Sequence, residues 1–162
     1  ANSNIADNAF SDEQFDTDAV MKMALGNVVQ RATANLPATA TEAIYTVAGG
    51  RVMVTSLIAE VTTLVQAQAC TIKLQANPTA AGTSLDVTGT LDINAKAVAT
   101  LLGVIGVLAT AITSGVAIIA QTTPLIFQAG TIDLVTSATN TGQVKWTLHY
   151  VPLDLGATVT AA

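Results

Sequence analysis

The chain has 162 residues, of which 51% are hydrophobic, 10% are charged and 4% are aromatic. This length fits one domain with a sizeable core, and the single Cys70 excludes an internal disulfide framework. Because so few charges are available to keep a monomer soluble, we expect other copies or a partner to cover much of the surface. The composition therefore favours an assembly subunit over a free enzyme.

The negative charge is concentrated at the N-terminus. Residues 1–22 hold five acids against one base, a net charge of −4 out of −5 for the whole chain, and the body is nearly neutral. Nucleic acid as a direct partner would require clustered Lys and Arg, so we expect none. An acidic arm suits a positively charged protein surface instead.

The segment Ser11 to Leu25 is predicted to form a short helix within an N-terminal arm, residues 1–27. Ser11 and Gln14 have the spacing of a capping box, and Lys22 lies late in the segment, where it favours the helix dipole. We expect this arm to bind a partner through its acids and its two aromatic residues, namely Asp7, Phe10, Asp12, Glu13, Phe15, Asp16 and Asp18.

From residue 28 onward, β-branched and Thr-rich segments alternate with Gly, Pro and Asn. Short, closely spaced segments of this kind predict an all-β domain over residues 28–155, an antiparallel β-sandwich or jelly-roll-like barrel, followed by a C-terminal tail, residues 156–162. The predicted strands are 28–34, 42–47, 51–65, 70–76, 84–92, 97–107, 116–120, 125–128, 131–135 and 143–151.

Two turn sequences predict hairpins. Gly49 and Gly50 tolerate the positive φ angles of a tight turn between the second and third predicted strands. The polar run 137–142 is expected to join the last two strands as an antiparallel pair. In the final strand, apolar and polar residues alternate, so we expect one face to be buried and to anchor the core through Val144, Trp146, Leu148 and Tyr150.

The long segment 51–65 lacks a clean alternation, because apolar residues occur at both odd and even positions. Such a strand is either central in a sandwich or half core and half subunit interface. Glu60 within it is expected at a sheet edge or paired with a base across an interface rather than in catalysis. Arg51 and Glu60 are therefore candidate interface residues.

Residues 97–120 contain no charge and are long enough for a transmembrane helix. Against that reading stand Gly103, Gly106 and Gly115, the absence of a flanking Trp or Tyr belt, and the β-rich surroundings. We expect strands interrupted at the glycines, and no membrane partner.

No constellation for catalysis is apparent in the sequence. One Cys and one His cannot form a zinc site, and the N-terminal acids lack the Gly and the late Glu of an EF-hand. His149 would need a carboxylate or nucleophile beside it, which the sequence does not place. Cys70 shares a strand face with Ile72 and is expected to be a buried, inert thiol. We expect no cofactor and no metal.

Three segments, ATATEAIYTVAGGRVMVTSLIAEVTT (38–63), LQANPTAAGTSLDVTGTLDINA (74–95) and QAGTIDLVTSATNTGQVKWTLHYVPLD (128–154), resemble small structural proteins of tailed bacteriophages. The resemblance covers residues 38–154 and omits the acidic arm. It implies a virion protein made in the host cytoplasm, of the decoration or cement type, often a homotrimer bound to the major capsid protein outside the shell. A tail or head-tail junction component, or a fibre or spike module, remains the alternative.

Overall fold

The computed structural model describes residues 24–80 and 82–162, so the arm acids, Phe10, Phe15 and nearly all of the predicted helix lie outside the described residues. The described residues form strands β1 (Asn27–Gln30), β2 (Ala34–Asn35), β3 (Thr41–Ala48), β4 (Val52–Thr63), β5 (Thr71–Pro78), β6 (Leu85–Asp86), β7 (Leu91–Asp92), β8 (Leu101–Gly103), β9 (Thr113–Gly115), β10 (Leu125–Phe127), β11 (Gly130–Thr136), β12 (Gln143–Pro152) and β13 (Thr158–Ala161).

The strands form two antiparallel sheets that pack against each other, which confirms the predicted β-sandwich. In the first, sheet A, the order is β1-β12-β4-β8-β9, with β10 also paired to β4 and β2 to β12. In the second, sheet B, the order is β13-β3-β11-β5-β6, with β7 also paired to β5. The two inner faces together supply the hydrophobic core.

Strand β12 has the alternation that the sequence predicts. Its inward residues, including Trp146 at 1% exposure, are buried, whereas Lys145, Thr147 and His149 are only partly buried. Because β12 lies between β1 and β4, Trp146, Leu148 and Tyr150 sit in the middle of sheet A and face sheet B.

The irregular pattern of β4 comes from bulges and not from burial on both faces. Tyr150 pairs with Val54, but His149 pairs with Ser56, so Thr55 is an extra residue in β4. The inward set therefore changes from even positions to odd ones, and Leu57 is buried where continued alternation would bury Ile58. The predicted grouping by odd and even positions is corrected accordingly, whereas the expected central place of the strand is confirmed, since β4 lies between β12 and β8.

Both predicted hairpins are wrong, because each turn joins strands of different sheets. The turn at residues 48–51 leads from β3 in sheet B to β4 in sheet A, and residues 137–142 likewise lead from β11 in sheet B to β12 in sheet A. Gly49 and Gly50 do have positive φ, and a Cβ on Gly49 would lie 2.3 Å from the Gly156 carbonyl oxygen. These glycines thus permit a crossover between layers.

The apolar run 97–120 forms two short strands of sheet A, β8 and β9, separated by loop. The predicted strand 116–120 is wrong, since these residues form an irregular segment in which Val116 is 96% exposed. Ile118 from this segment packs against Gly103 of β8, where a Cβ would lie 2.8 Å from the Ile118 Cδ1. Residues 24–80 and 82–162 contain no helix that is long and apolar enough to cross a membrane.

Residues 158–161 of the predicted C-terminal tail form β13, so this segment belongs to the sandwich. Val159 is buried, and β13 pairs with β3. Beside it, Arg31 is 9% exposed, forms an ion pair with Glu42 and donates from Nε to the main-chain oxygen of Ala162 at 3.2 Å. This cluster ties the β1 edge of sheet A to the β3-β13 edge of sheet B.

Candidate functional site

An apolar pocket of about 440 Å³ opens where the two sheets separate, and we call it the β5-β10 pocket. It lies between β10 of sheet A and β5 and β6 of sheet B, with a loop residue at its rim. Its buried lining residues are Val87, Leu125 and Phe127. Its half-exposed apolar lining residues are Leu85, Leu108 and Ile126, at 54%, 50% and 65% exposure.

The outward faces of the two sheets differ in polarity. Cross-strand partners on sheet A put Ile126, Met53 and Val151 in one outward row. Other outward apolar residues of this sheet are Val28, Ile58 and Leu101. The equivalent rows of sheet B are polar and consist of Thr160, Thr46, Thr131 and Asn77, and of Asp133, Gln75 and Asp86. Glu60, Lys145 and His149 lie among these apolar side chains, so the outward face of sheet A combines apolar rows with polar groups and is suited to contact with protein.

The chain enters β1 across this apolar face. At Gly26, φ is 88°, and a Cβ there would lie 2.1 Å from the Tyr150 carbonyl oxygen, so the backbone passes tightly over β12. The Thr55 hydroxyl of β4 donates to the Leu25 carbonyl oxygen at 2.5 Å. The segment before β1 therefore runs over β12 to β4, one strand away from β10 and the β5-β10 pocket.

The two candidate interface charges have different surroundings. Glu60 is exposed on the outward face of β4, in the interior of sheet A and not at its edge, with Lys145 of β12 directly opposite. Arg51 donates from Nε and Nη2 to Asp154 at 2.9 and 2.7 Å, and its main-chain N–H also binds this carboxylate. The Arg51 guanidinium holds the pKa of the Asp154 carboxyl well below its usual range.

His149 lies outward on β12, with Val28 and Ser56 opposite it on the neighbouring strands. Its Nδ1 is buried and has no hydrogen-bond partner among the described residues. Burial lowers the pKa of the imidazole, so the neutral form is favoured. Although Ser56 lies opposite it, neither a hydroxyl nor a carboxylate of the described residues is hydrogen-bonded to Nδ1 in the way that acid-base catalysis would use.

On sheet B, Asp133 is 5% exposed and its Oδ1 has no hydrogen-bond partner among the described residues. The nearby Asp86 is already bound to Lys73 and Gln75, at 2.8 Å in each case. Within residues 24–80 and 82–162, no group of three or more His, Cys, Asp or Glu residues could hold a metal ion. A single carboxylate does not satisfy a hard cation, which takes six or more oxygen ligands.

Cys70 is buried, as predicted, and its thiol donates to the Ala138 carbonyl oxygen at 3.3 Å. It lies among core residues rather than beside a base that could activate it.

Comparisons with family models, curated proteins and solved structures yield no match for this chain.

The structure brings together features that sequence reasoning did not connect. The β5-β10 pocket combines residues of β5, β6 and β10 with Leu108 of a loop, segments far apart in the sequence. Leu85, an isolated apolar residue in polar surroundings, was the available signal, whereas Ile126 lies within the apolar run 125–127. The apolar face of sheet A could not be inferred because the bulge at Thr55 alters which side chains of β4 face outward.

Proposed function

We propose that this chain is a non-enzymatic virion structural protein that binds the outside of a tailed-phage capsid and stabilises it as a decoration or cement protein. Its partners are further copies of itself, as a homotrimer, and the major capsid protein. The observation that carries the proposal is the apolar outward face of sheet A, from which the acidic N-terminal segment departs. The resemblance to small phage structural proteins supports the same assignment.

In this proposal two surfaces of the protein make two different contacts. The outward face of sheet A is large enough to serve as a protein contact: strands β1, β4, β8, β10 and β12 together hold 32 residues, which at about 3.3 Å by 4.8 Å each cover about 500 Å². A standard interface buries about 800 Å² per partner, so this face supplies most of one contact. The acidic segment supplies a second, electrostatic contact to basic groups on the shell.

The closed capsid shell is stabilised because binding of the protein is thermodynamically linked to shell closure. A protein that binds the closed shell and not the burst shell adds its binding free energy to the closed state. A trimer touches several capsid subunits at once, so modest individual contacts combine by avidity. Twenty extended residues span up to about 65 Å, which would let each arm reach a neighbouring capsid subunit.

The test is binding of the purified protein to expanded capsids that lack it. We expect the full chain to saturate the shell, with copies arranged at three-fold axes in electron micrographs. Deletion of residues 1–23 should lower the affinity by about tenfold or more, because avidity falls when one of two contacts is lost. Affinity should also fall as salt is raised, since salt screens the contacts of the acidic arm.

A matched pair of variants tests the apolar face. Ile126→Lys puts a charge on the outward face of sheet A, and Thr46→Lys puts the same charge on the polar face of sheet B, outside the β5-β10 pocket. We expect only Ile126→Lys to reduce trimer formation, measured by light scattering after size exclusion. A monomer that never binds capsids would refute the proposal, and a six-fold ring on tails would identify the chain as a tail or junction component.

A further inference from the structure

The β5-β10 pocket is an apolar cavity whose hydrophobic walls remain open to solvent. Leu85, Leu108 and Ile126 are each at least half exposed, although Leu125 and Phe127 beside them are buried core residues. Exposed clusters of large apolar side chains in contact with the core are characteristic of binding surfaces. A chain with so few charges gains solubility if this cavity is covered.

The path of residues 24–26 indicates which segment covers the β5-β10 pocket. Residues 24–26 run from β1 across β12 to β4, and the hydrogen bond from the Thr55 hydroxyl to the Leu25 carbonyl fixes this direction. The next strand in the same direction is β10, where Ile126 pairs with Met53 of β4 and also lines the pocket. From Thr55 the pocket is one strand spacing away, about 5 Å, which is within the reach of the residues that precede Ala24.

The sequence of the segment supplies a suitable occupant. The chain has three Phe residues: Phe127 lines the pocket, and Phe10 and Phe15 both lie before the described residues. Phe15 precedes Ala24 by nine positions, a distance of up to about 30 Å extended or about 14 Å helical. Either length spans β10, so no particular conformation is needed to bring the ring to the cavity.

We infer that the β5-β10 pocket is the docking site for the chain's own N-terminal segment, with the Phe15 side chain inserted among Leu85, Leu108 and Phe127 of the same copy. An aromatic ring placed there gains burial and a contact with the Phe127 ring. The acids that flank Phe15 have no counterpart in the apolar lining and stay in water. Docking at Phe15 shortens the free part of the arm from about twenty residues to residues 1–14, which span up to about 46 Å, whether or not the partner is a capsid.

Trypsin cleavage after Lys22 reports on docking in the purified full chain. We expect Phe15→Ala to speed this cleavage by about tenfold or more, because the undocked segment becomes accessible once the ring's burial is lost. Phe10→Ala is the matched control and should stay within about twofold of the unaltered chain. Equal cleavage rates for all three proteins, or acceleration by Phe10→Ala alone, would overturn the inference.

A variant of the pocket tests the other partner in the contact. Leu108→Asp, at 50% exposure on the rim, should accelerate cleavage after Lys22 as Phe15→Ala does. Val116→Asp, at 96% exposure outside the pocket, is the control and should not. Unchanged urea midpoints for both variants show that the fold is intact, and acceleration by Val116→Asp equal to that by Leu108→Asp would contradict the pocket's role.

A disulfide trap distinguishes docking within one copy from docking between copies. Gln14→Cys combined with Thr83→Cys, a pocket-lining residue, should form a crosslink inside a single chain on mild oxidation. The same Gln14→Cys with Thr160→Cys, on the opposite edge of the sandwich, should not. Cys70 is buried and does not compete. A crosslinked dimer would instead identify a second copy as the occupant, and no crosslink would reject the docking site.

Discussion

Replacing Leu57 and, separately, its neighbour Ile58 with Ala tests the bulge that sets the two faces of β4. Leu57 is fully buried in the core, whereas Ile58 is partly buried on the outward face of sheet A. A fully buried Leu→Ala substitution costs about 2–5 kcal/mol, so we expect Leu57→Ala to lower the free energy of unfolding by about 3 kcal/mol. Ile58→Ala removes a half-covered side chain and should cost about 1 kcal/mol.

The assay is urea unfolding followed by the fluorescence of Trp146, the single Trp, which is 1% exposed. With a urea m-value of about 2 kcal/mol per M, the loss at Leu57 shifts the midpoint by about 1.5 M. The same loss lowers the melting temperature by about 6–12 °C for a domain of this size. Equal m-values for the variants show that the same surface is exposed on unfolding.

The opposite ranking would refute the bulge. If alternation continued from Val52 and Val54 without an extra residue, Ile58 would face the core and Leu57 would face water. Ile58→Ala would then cost more than Leu57→Ala. A result of that kind would also remove the apolar outward face of sheet A, because Ile58 would no longer belong to it.

Three further substitutions have defined outcomes. Gly106→Ala should lower the free energy of unfolding in urea by well over 2 kcal/mol, because φ is 88° and the added Cβ would lie 1.9 Å from the Thr123 carbonyl oxygen. Gly156 has a similar φ of 82°, but a Cβ there meets nothing within 4 Å, so Gly156→Ala should cost only about 1 kcal/mol of backbone strain. Equal costs for the two variants would contradict the close approach at Gly106. Since burial lowers the pKa of His149, the unfolded chain binds its proton more readily, so the free energy of unfolding should fall as pH drops below about 6.5. His149→Gln should flatten that dependence, and an unchanged pH profile in the variant would show that His149 is not its source. Cys70 should react with a thiol reagent only in urea, and rapid reaction of the native protein would contradict its burial.

The last strand and the long β4 show how far local patterning extends. Strand β12 is regular, so its alternation predicts its inward residues correctly, including Trp146. Strand β4 also mixes apolar and polar residues but contains an extra residue at Thr55, which no local pattern marks. The bulge is fixed by pairing with β12, about a hundred residues later in the sequence, and its effect on the exposed face is therefore a tertiary property.

The turns show a similar division. The glycines at 49–50 and the polar run 137–142 predict that the chain reverses direction, and it does. They do not predict which strand becomes the neighbour, because crossing to the facing sheet and returning in the same sheet require similar turn residues. The run 97–120 was open to several interpretations because its glycines, its apolar content and the absence of charge are compatible with short strands, loop or helix.

The sequence alone determined that this protein is an all-β domain with a Trp-anchored core, few surface charges and an acidic N-terminal segment, because these depend on composition and on neighbouring residues. Only the tertiary structure decided the pairing of strands, the apolar outward face of sheet A and the β5-β10 pocket. Each of these joins residues distant in the chain, and their juxtaposition depends on which long-range pairings bury the most apolar surface.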